Sequence, residues 1–89
     1  MASKQQTKLI KQWERDGYIV VNLISTSKNG IPDLMALKDG QTVFIESKEP
    51  NDTVKALQIY RMEELTKAGF PVFINNVPYV EWKRGTKVG

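Results

Sequence analysis

Two side chains common in enzyme active sites are missing from this chain: it has no histidine and no cysteine. That excludes cysteine nucleophiles, histidine general bases and the zinc sites built on those ligands. It also excludes disulfides, which fits a reducing compartment. Any metal must be held by oxygen, and oxygen donors favour magnesium, manganese or calcium over zinc. Long apolar runs are absent too, and none approaches membrane-spanning length. The opening Met1-Ala2-Ser3-Lys4-Gln5-Gln6 has no apolar signal region. The expectation is a soluble, intracellular (cytoplasmic) protein.

What is present bounds the answer further. At 89 residues the chain reads as one small domain over residues 1–89. A domain this short buries a limited core, so self-association is a reasonable expectation. The formal net charge of +3 tilts the reading toward an anionic partner such as nucleic acid, but such a balance alone is weak evidence.

Periodicity and turn chemistry give the element order. Residues 3–16 read as a helix with a narrow apolar stripe of Leu9, Ile10 and Trp13, stopped by Gly17. Residues 18–24 are β-branched and apolar and read as a buried strand. Residues 25–30 form a polar loop without an apolar anchor, expected to be mobile. Two strands follow near 33–38 and 42–48, joined by Asp39-Gly40, a tight hairpin signal. Pro50-Asn51-Asp52 ends the second strand and offers a helix N-cap. The next helix runs to about Ala68, with Val54, Leu57, Arg61, Leu65 and Ala68 on one face. Residues 70–74 form a last core strand. Tyr79, Val80 and Trp82 suggest a short packed element in the tail, and residues 83–87 read as frayed and basic. The order is α-β-β-β-α-β, with a helical crossover making the last two strands candidate parallel neighbours.

The most informative residues lie on the hairpin. Asp33 opens its first strand and, after twelve intervening residues, Glu46-Ser47-Lys48 closes its second. The hairpin sets Asp33 beside Glu46, and the two-residue strand period turns Lys48 to the same face as Glu46. Two carboxylates and an ammonium converge, an arrangement that can hold a hard divalent cation and activate water. Each has a plainer reading: Asp33 as a turn residue after Pro32, Glu46 as a solvated strand position, Lys48 as a strand-end lysine that snorkels to water. Against this, a carboxylate in so apolar a strand is costly unless paired or metal-bound. A second carboxylate nearby calls for a counter-cation. Lys48 can orient or deprotonate the water, or stabilise the charged transition state. Ser47 points the other way, leaving only its carbonyl to reach a metal. Gln58, on the second helix, is either a solvated glutamine or an amide that reaches the site.

Other candidates are less specific. The loop bearing Ser27, Lys28 and Asn29 precedes the site and suits contacts to a nucleic-acid backbone. Lys4, Lys8, Lys11 and Lys28 are candidate phosphate contacts, as are Lys83, Arg84 and Lys87, although a solvated lysine is the plainer reading of each. Tyr60 and Trp82 can stack on bases, with packing the plainer role for Trp82. Tyr79 and Trp82 are equally open to a dimer interface or to the core.

Gly30-Ile31-Pro32-Asp33-Leu34 followed by Glu46-Ser47-Lys48 resembles the PD-(D/E)XK nuclease motif. With Val43-Phe44-Ile45, a helix carrying Gln58, and Ala68-Gly69-Phe70-Pro71-Val72-Phe73, the chain resembles the VRR-NUC branch in its minimal, stand-alone viral (phage) form. It is also similar to archaeal Holliday junction resolvases. The resemblance covers residues 4–75. It implies a restriction-endonuclease-like α/β core, a central mixed sheet flanked by helices. It implies that Asp33, Glu46 and the Ser47 carbonyl bind Mg2+ or Mn2+, that Lys48 is the catalytic lysine and that Gln58 supports the site. It also implies a homodimer, since a four-way junction needs two symmetric cuts. One departure stands out. Many relatives carry a metal-binding glutamate on the first helix, where this chain has Gln5 and Gln6; Glu14 lies too close to the first strand to replace it.

The expected function is a metal-dependent, structure-selective DNA endonuclease, a Holliday junction resolvase acting as a homodimer. Alternatives are a nicking or flap nuclease on other branched DNA, a non-catalytic nucleic-acid-binding module, or a small interaction protein with a coincidental triplet.

Overall fold

A computed structural model describes residues 3–85 of the chain. Ser3 caps the first helix, its Oγ accepting the Gln6 N–H at 3.1 Å, and α1 (Lys4–Arg15) follows. Three strands come next: β1 (Ile19–Asn22), β2 (Leu34–Lys38) and β3 (Gln41–Glu46). Asp39 and Gly40 both take positive φ, 51° and 77°, as a two-residue turn matching the strand twist requires. Then come α2 (Ala56–Lys67), β4 (Val72–Ile74), β5 (Val77–Pro78) and α3 (Tyr79–Gly85). The expected order holds, and a two-residue strand and a short helix extend it.

The strands form one mixed sheet in the order β1-β2-β3-β4-β5. Only β3 and β4 pair in parallel, Ile45 opposite Phe73, because α2 carries the chain across between them. The period-2 alternation divides the apolar residues between two cores. Leu34, Ala36, Val43 and Ile45 face Leu9 of α1, with Trp13, Tyr18 and Phe73 packed around them. Val72, Ile74 and half-buried Phe44 face Met62 of α2 on the other side, joined by Tyr79 and Trp82. The molecule is thus layered, α1 on one side of the sheet and α2 with α3 on the other. Tyr79 Oη donates to Glu63 at 3.1 Å, and Lys83 pairs with the same carboxylate, tying α3 to α2. The Lys83 bond holds the Glu63 carboxyl below its usual range; burial, then Glu63, pushes the Tyr79 hydroxyl up to about 12.

Residues 83–85, expected to be frayed, close α3 instead, and Lys87 lies outside the described residues. Four further details differ from the sequence reading. β1 is an edge strand with Ile19 and Val21 exposed, because α2 packs over β3 and β4 and leaves the β1–β2 end of that face open. Asp52 does not cap a helix; its Oδ2 accepts the Glu49 N–H at 3.2 Å and its own N–H bonds Glu49 O, closing a turn. The helix starts four residues later. Its inward residues are Ile59, Met62 and Leu65, while Leu57 is exposed. The loop before β2 is anchored: Arg61 Nε donates to Asn29 O at 2.9 Å, and Gly30 (φ 84°) lies so close to α2 that a Cβ there would sit 2.8 Å from Leu57.

Candidate active site

The β2–β3 hairpin builds the site from its two open ends. Leu34 pairs with Ile45, so Asp33 and Glu46 stand one step further out, both on the α2 side of the sheet. Asp33 is tied at both ends: its carbonyl accepts the Leu23 N–H at 2.8 Å and its Oδ2 accepts the Ser47 N–H at 3.0 Å.

Glu46 is only 2% exposed and is the buried charged residue of the described core. Its two oxygens differ. Oε2 accepts from Gln58 Nε2 at 3.1 Å and faces Lys48 Nζ at 3.7 Å. Oε1 is buried with no hydrogen-bond partner. Burial first, then the neighbouring Asp33 carboxylate, push the Glu46 carboxyl up to about 8 against the opposing pull of Lys48. A buried acceptor without a donor costs about 1–3 kcal/mol, so this oxygen is free for a cation at measurable expense to the fold.

Gln58 is placed by the start of α2. The Lys55 N–H donates to its Oε1 at 2.9 Å. A backbone N–H can only donate, so the amide is fixed with its NH2 toward Glu46. Lys48 Nζ donates to Thr53 O at 3.3 Å, and its side chain is largely covered. The four residues Asp33, Glu46, Lys48 and Gln58 are therefore brought together, and Ser47 joins them through its backbone.

One residue the sequence reading passed over holds this cluster. Asn75, in the turn after β4, sits at φ 55°. Its Oδ1 accepts the Lys48 N–H at 3.0 Å and its Nδ2 donates to Lys48 O at 3.1 Å, while its own N–H bonds Glu46 O at 2.8 Å. The side-chain amide acts as one more peptide group, extending the β3–β4 pairing through Lys48. The available signal was an Asn pair directly after an apolar strand, since asparagine tolerates this left-handed backbone. Asn75→Gly keeps the backbone conformation and removes the amide. We expect it to lower stability by about 1–2 kcal/mol, read by urea unfolding.

The remaining candidates lie elsewhere. Ser27, Lys28 and Asn29 are exposed on the loop before Asp33; Lys28 and Asn29 line a polar cleft of about 360 Å3 with Asp33, and Ser27 does not. Lys8 points outward from α1 in a separate groove with Lys4 and Lys11. Gln5, not Gln6, reaches the site: it lines a groove of about 310 Å3 with Lys48, Glu49 and Asn75. Gln6 Nε2 instead donates to Asn22 Oδ1 at 2.9 Å. Glu14 is exposed near the opposite end of α1. Tyr60 is exposed under the Arg61 guanidinium. Tyr79 and Trp82 stack on each other in the second core, with Tyr79 fully buried.

Among the described residues no group of three or more histidine, cysteine, aspartate or glutamate side chains gathers as a metal site. The oxygen groups gathered at the candidate site are two carboxylates, one with an unsatisfied buried oxygen. That set fits a hard cation that keeps much of its own water, as magnesium does.

The model of the VRR-NUC domain family matches residues 2–79 of the chain. A solved structure described as a VRR_NUC domain is similar over 82% of this chain and 84% of its own length, with 29% identity and a TM-score of 0.69. No curated protein sequence matches.

Proposed function

The chain belongs to the VRR-NUC domain family, a nuclease-type domain, and from that premise we propose that it is a metal-dependent, structure-selective DNA endonuclease that resolves four-way junctions as a homodimer. The observation that carries the catalytic part is the orphaned Glu46 Oε1 beside Asp33 and Lys48. Asp33, Glu46 and the Ser47 carbonyl would hold Mg2+ or Mn2+; when bound, such an ion supplies Lewis acidity at a phosphoryl oxygen and lowers the pKa of water. Lys48, 3.7 Å from Glu46, orients the attacking water in line with the scissile bond and stabilises negative charge growing on the phosphoryl group. Water adds to phosphorus and the 3′ oxygen leaves, giving a 5′-phosphate end and a 3′-hydroxyl. Gln58 keeps Glu46 oriented, and Asn75 keeps Lys48 oriented. Ser27, Lys28 and Asn29 beside Asp33 hold the flanking backbone without reading sequence.

The homodimer reading rests on the open sheet face. Ile19 pairs with Leu37 and Val21 with Met35, and these apolar side chains share the side of the sheet that α2 leaves uncovered at β1 and β2. A contiguous exposed apolar patch of this kind marks an association surface. Ile19 is 68% exposed, so Ile19→Lys leaves the fold intact. It should yield a monomer in sedimentation and uncoupled single nicks in place of paired ones; a dimer that survives the charge places the interface elsewhere.

Substrate class is tested by comparing cleavage of a labelled four-way junction, a flap and a linear duplex. Paired symmetric nicks on the junction support the resolvase reading, and single nicks on the flap support a nicking or flap nuclease. A second reading, a non-catalytic junction-binding module, is favoured by the neutral Gln5 beside Lys48. Junction binding with no cut on any substrate would support it.

A further inference from the structure

We infer that the outward face of α1 is a second DNA track, separate from the catalytic cleft, that takes a neighbouring arm of a branched duplex. The inference rests on the nuclease reading above and deepens it by assigning where branch selectivity arises.

The face is built by helical spacing. Lys4, Lys8, Lys11 and Arg15 recur at intervals of four, three and four residues, so they stack along one side of α1. Leu9, Ile10 and Trp13 occupy the opposite side, against the sheet. The four cations line an open groove of about 560 Å3 with the neutral Thr7 and Gln12. No carboxylate lines it, and among the described residues none of the four enters an ion pair.

This arrangement works against the helix that carries it. The first turn has no acidic residue, and Lys4 sits there instead, where the positive end of the helix dipole disfavours a cation. Like charges at three- and four-residue spacing repel along the same face. An anionic partner on this face would offset both penalties.

Its position in the layers gives the track its role. Asp33 and Glu46 lie on the α2 side of the sheet, whereas the cations lie beyond α1 on the other. The Lys4 end is nearest the site, since Gln5 shares a groove with Lys48. The Arg15 end lies toward the hairpin turn, where Lys38 Nζ donates to Asp16 O at 2.7 Å. From Lys4 to Arg15 the stripe runs about 16 Å at 1.5 Å per residue, or about five base pairs at 3.4 Å each. A straight duplex across the end of the sheet does not follow α1 along this length. A second arm leaving the branch point at a steep angle does.

The test is a variant with Lys4, Lys8, Lys11 and Arg15 all changed to Gln, measured by fluorescence anisotropy with chelator present so that no cleavage is needed. The probes are a four-way junction and a linear duplex of equal length. The expected result is a junction affinity that falls at least about 30-fold at moderate salt, with the log–log salt slope shallower by about three to four, near 0.9 per lost phosphate contact. Linear duplex binding changes little, and thermal stability holds or rises. Trimming one junction arm below about five base pairs should reproduce the loss for the wild type and add nothing for the variant. Equal weakening on junction and duplex, or no weakening on either, would overturn the inference, as would a fall in melting temperature, which marks a structural role. Because binding is read without cleavage, an inactive protein would sink the nuclease reading while leaving this test intact.

Discussion

Glu46→Gln is expected to remove cleavage, by at least about 10²–10³-fold, the scale of losing one group that stabilises the transition state, while making the metal-free protein more stable at neutral and alkaline pH. The two effects have one cause. Glu46 is nearly inaccessible to water and faces Asp33, Lys48 and Gln58. Its carboxyl titrates near 8 in the fold against 4.5 for an ordinary glutamate. Between these values the folded protein retains a proton that the unfolded chain has released. The stability this group contributes is complete below about pH 4.5 and is lost as pH rises through about 8. Over the span from 4.5 to about 8, at about 1.4 kcal/mol per pH unit, the loss is at most on the order of 5 kcal/mol, which lowers the melting temperature of a domain this size by roughly 10 °C or more. The amide that replaces the Glu46 carboxyl does not titrate, and its oxygen still accepts from Gln58. In chelator, melting temperatures from pH 5 to 8.5 should therefore fall for the wild type and stay flat for the variant. Parallel pH profiles would show that Glu46 is ionised at little cost and that the site is not primed for a cation.

Lys48→Ala is the second large effect. Cleavage should fall about 10²–10³-fold in single-turnover experiments while junction affinity changes less than about threefold. Lys48 is one ammonium, and the contacts to the nucleic-acid backbone proposed above lie mainly on the loop at residues 27–29 and on α1. Its stem is covered and its head touches Glu46 and Thr53 O, so its removal reaches the chemistry directly. Loss of affinity in step with rate would make Lys48 a binding residue. Unchanged rate would remove it from the mechanism.

Much of this site was legible from the sequence because strand geometry is local. The Asp39-Gly40 turn fixes the register, and the register sets Asp33 against Glu46 and turns Lys48 to the Glu46 side. The parallel β3–β4 neighbours follow from the helix between them. The exposure of Ile19 and Val21 was not legible. A run of β-branched residues reads as buried, and only the position of α2 over β3 and β4 shows that half of that sheet face has no cover. Asp52 misled for a related reason: a residue able to cap a helix is equally able to close a turn, and here the turn at Glu49 takes it. Asn75 was hidden because its role depends on a contact 27 residues away in sequence. The charge pattern of α1 was visible residue by residue as candidate phosphate contacts. That it forms an acid-free face on the side of the molecule away from the carboxylates emerges only from the layering of the fold.

The central claim is that Asp33, Glu46 and Lys48 form a metal-dependent phosphodiester-cleaving site. The most direct measurement is single-turnover cleavage of a labelled four-way junction in Mg2+ or Mn2+, then with chelator, then with the ion restored. The expected result is cutting with 5′-phosphate ends in the presence of either ion, none in chelator, and recovery on restoration. Cleavage indifferent to chelator, or tight junction binding with no cleavage under any ion, would contradict it.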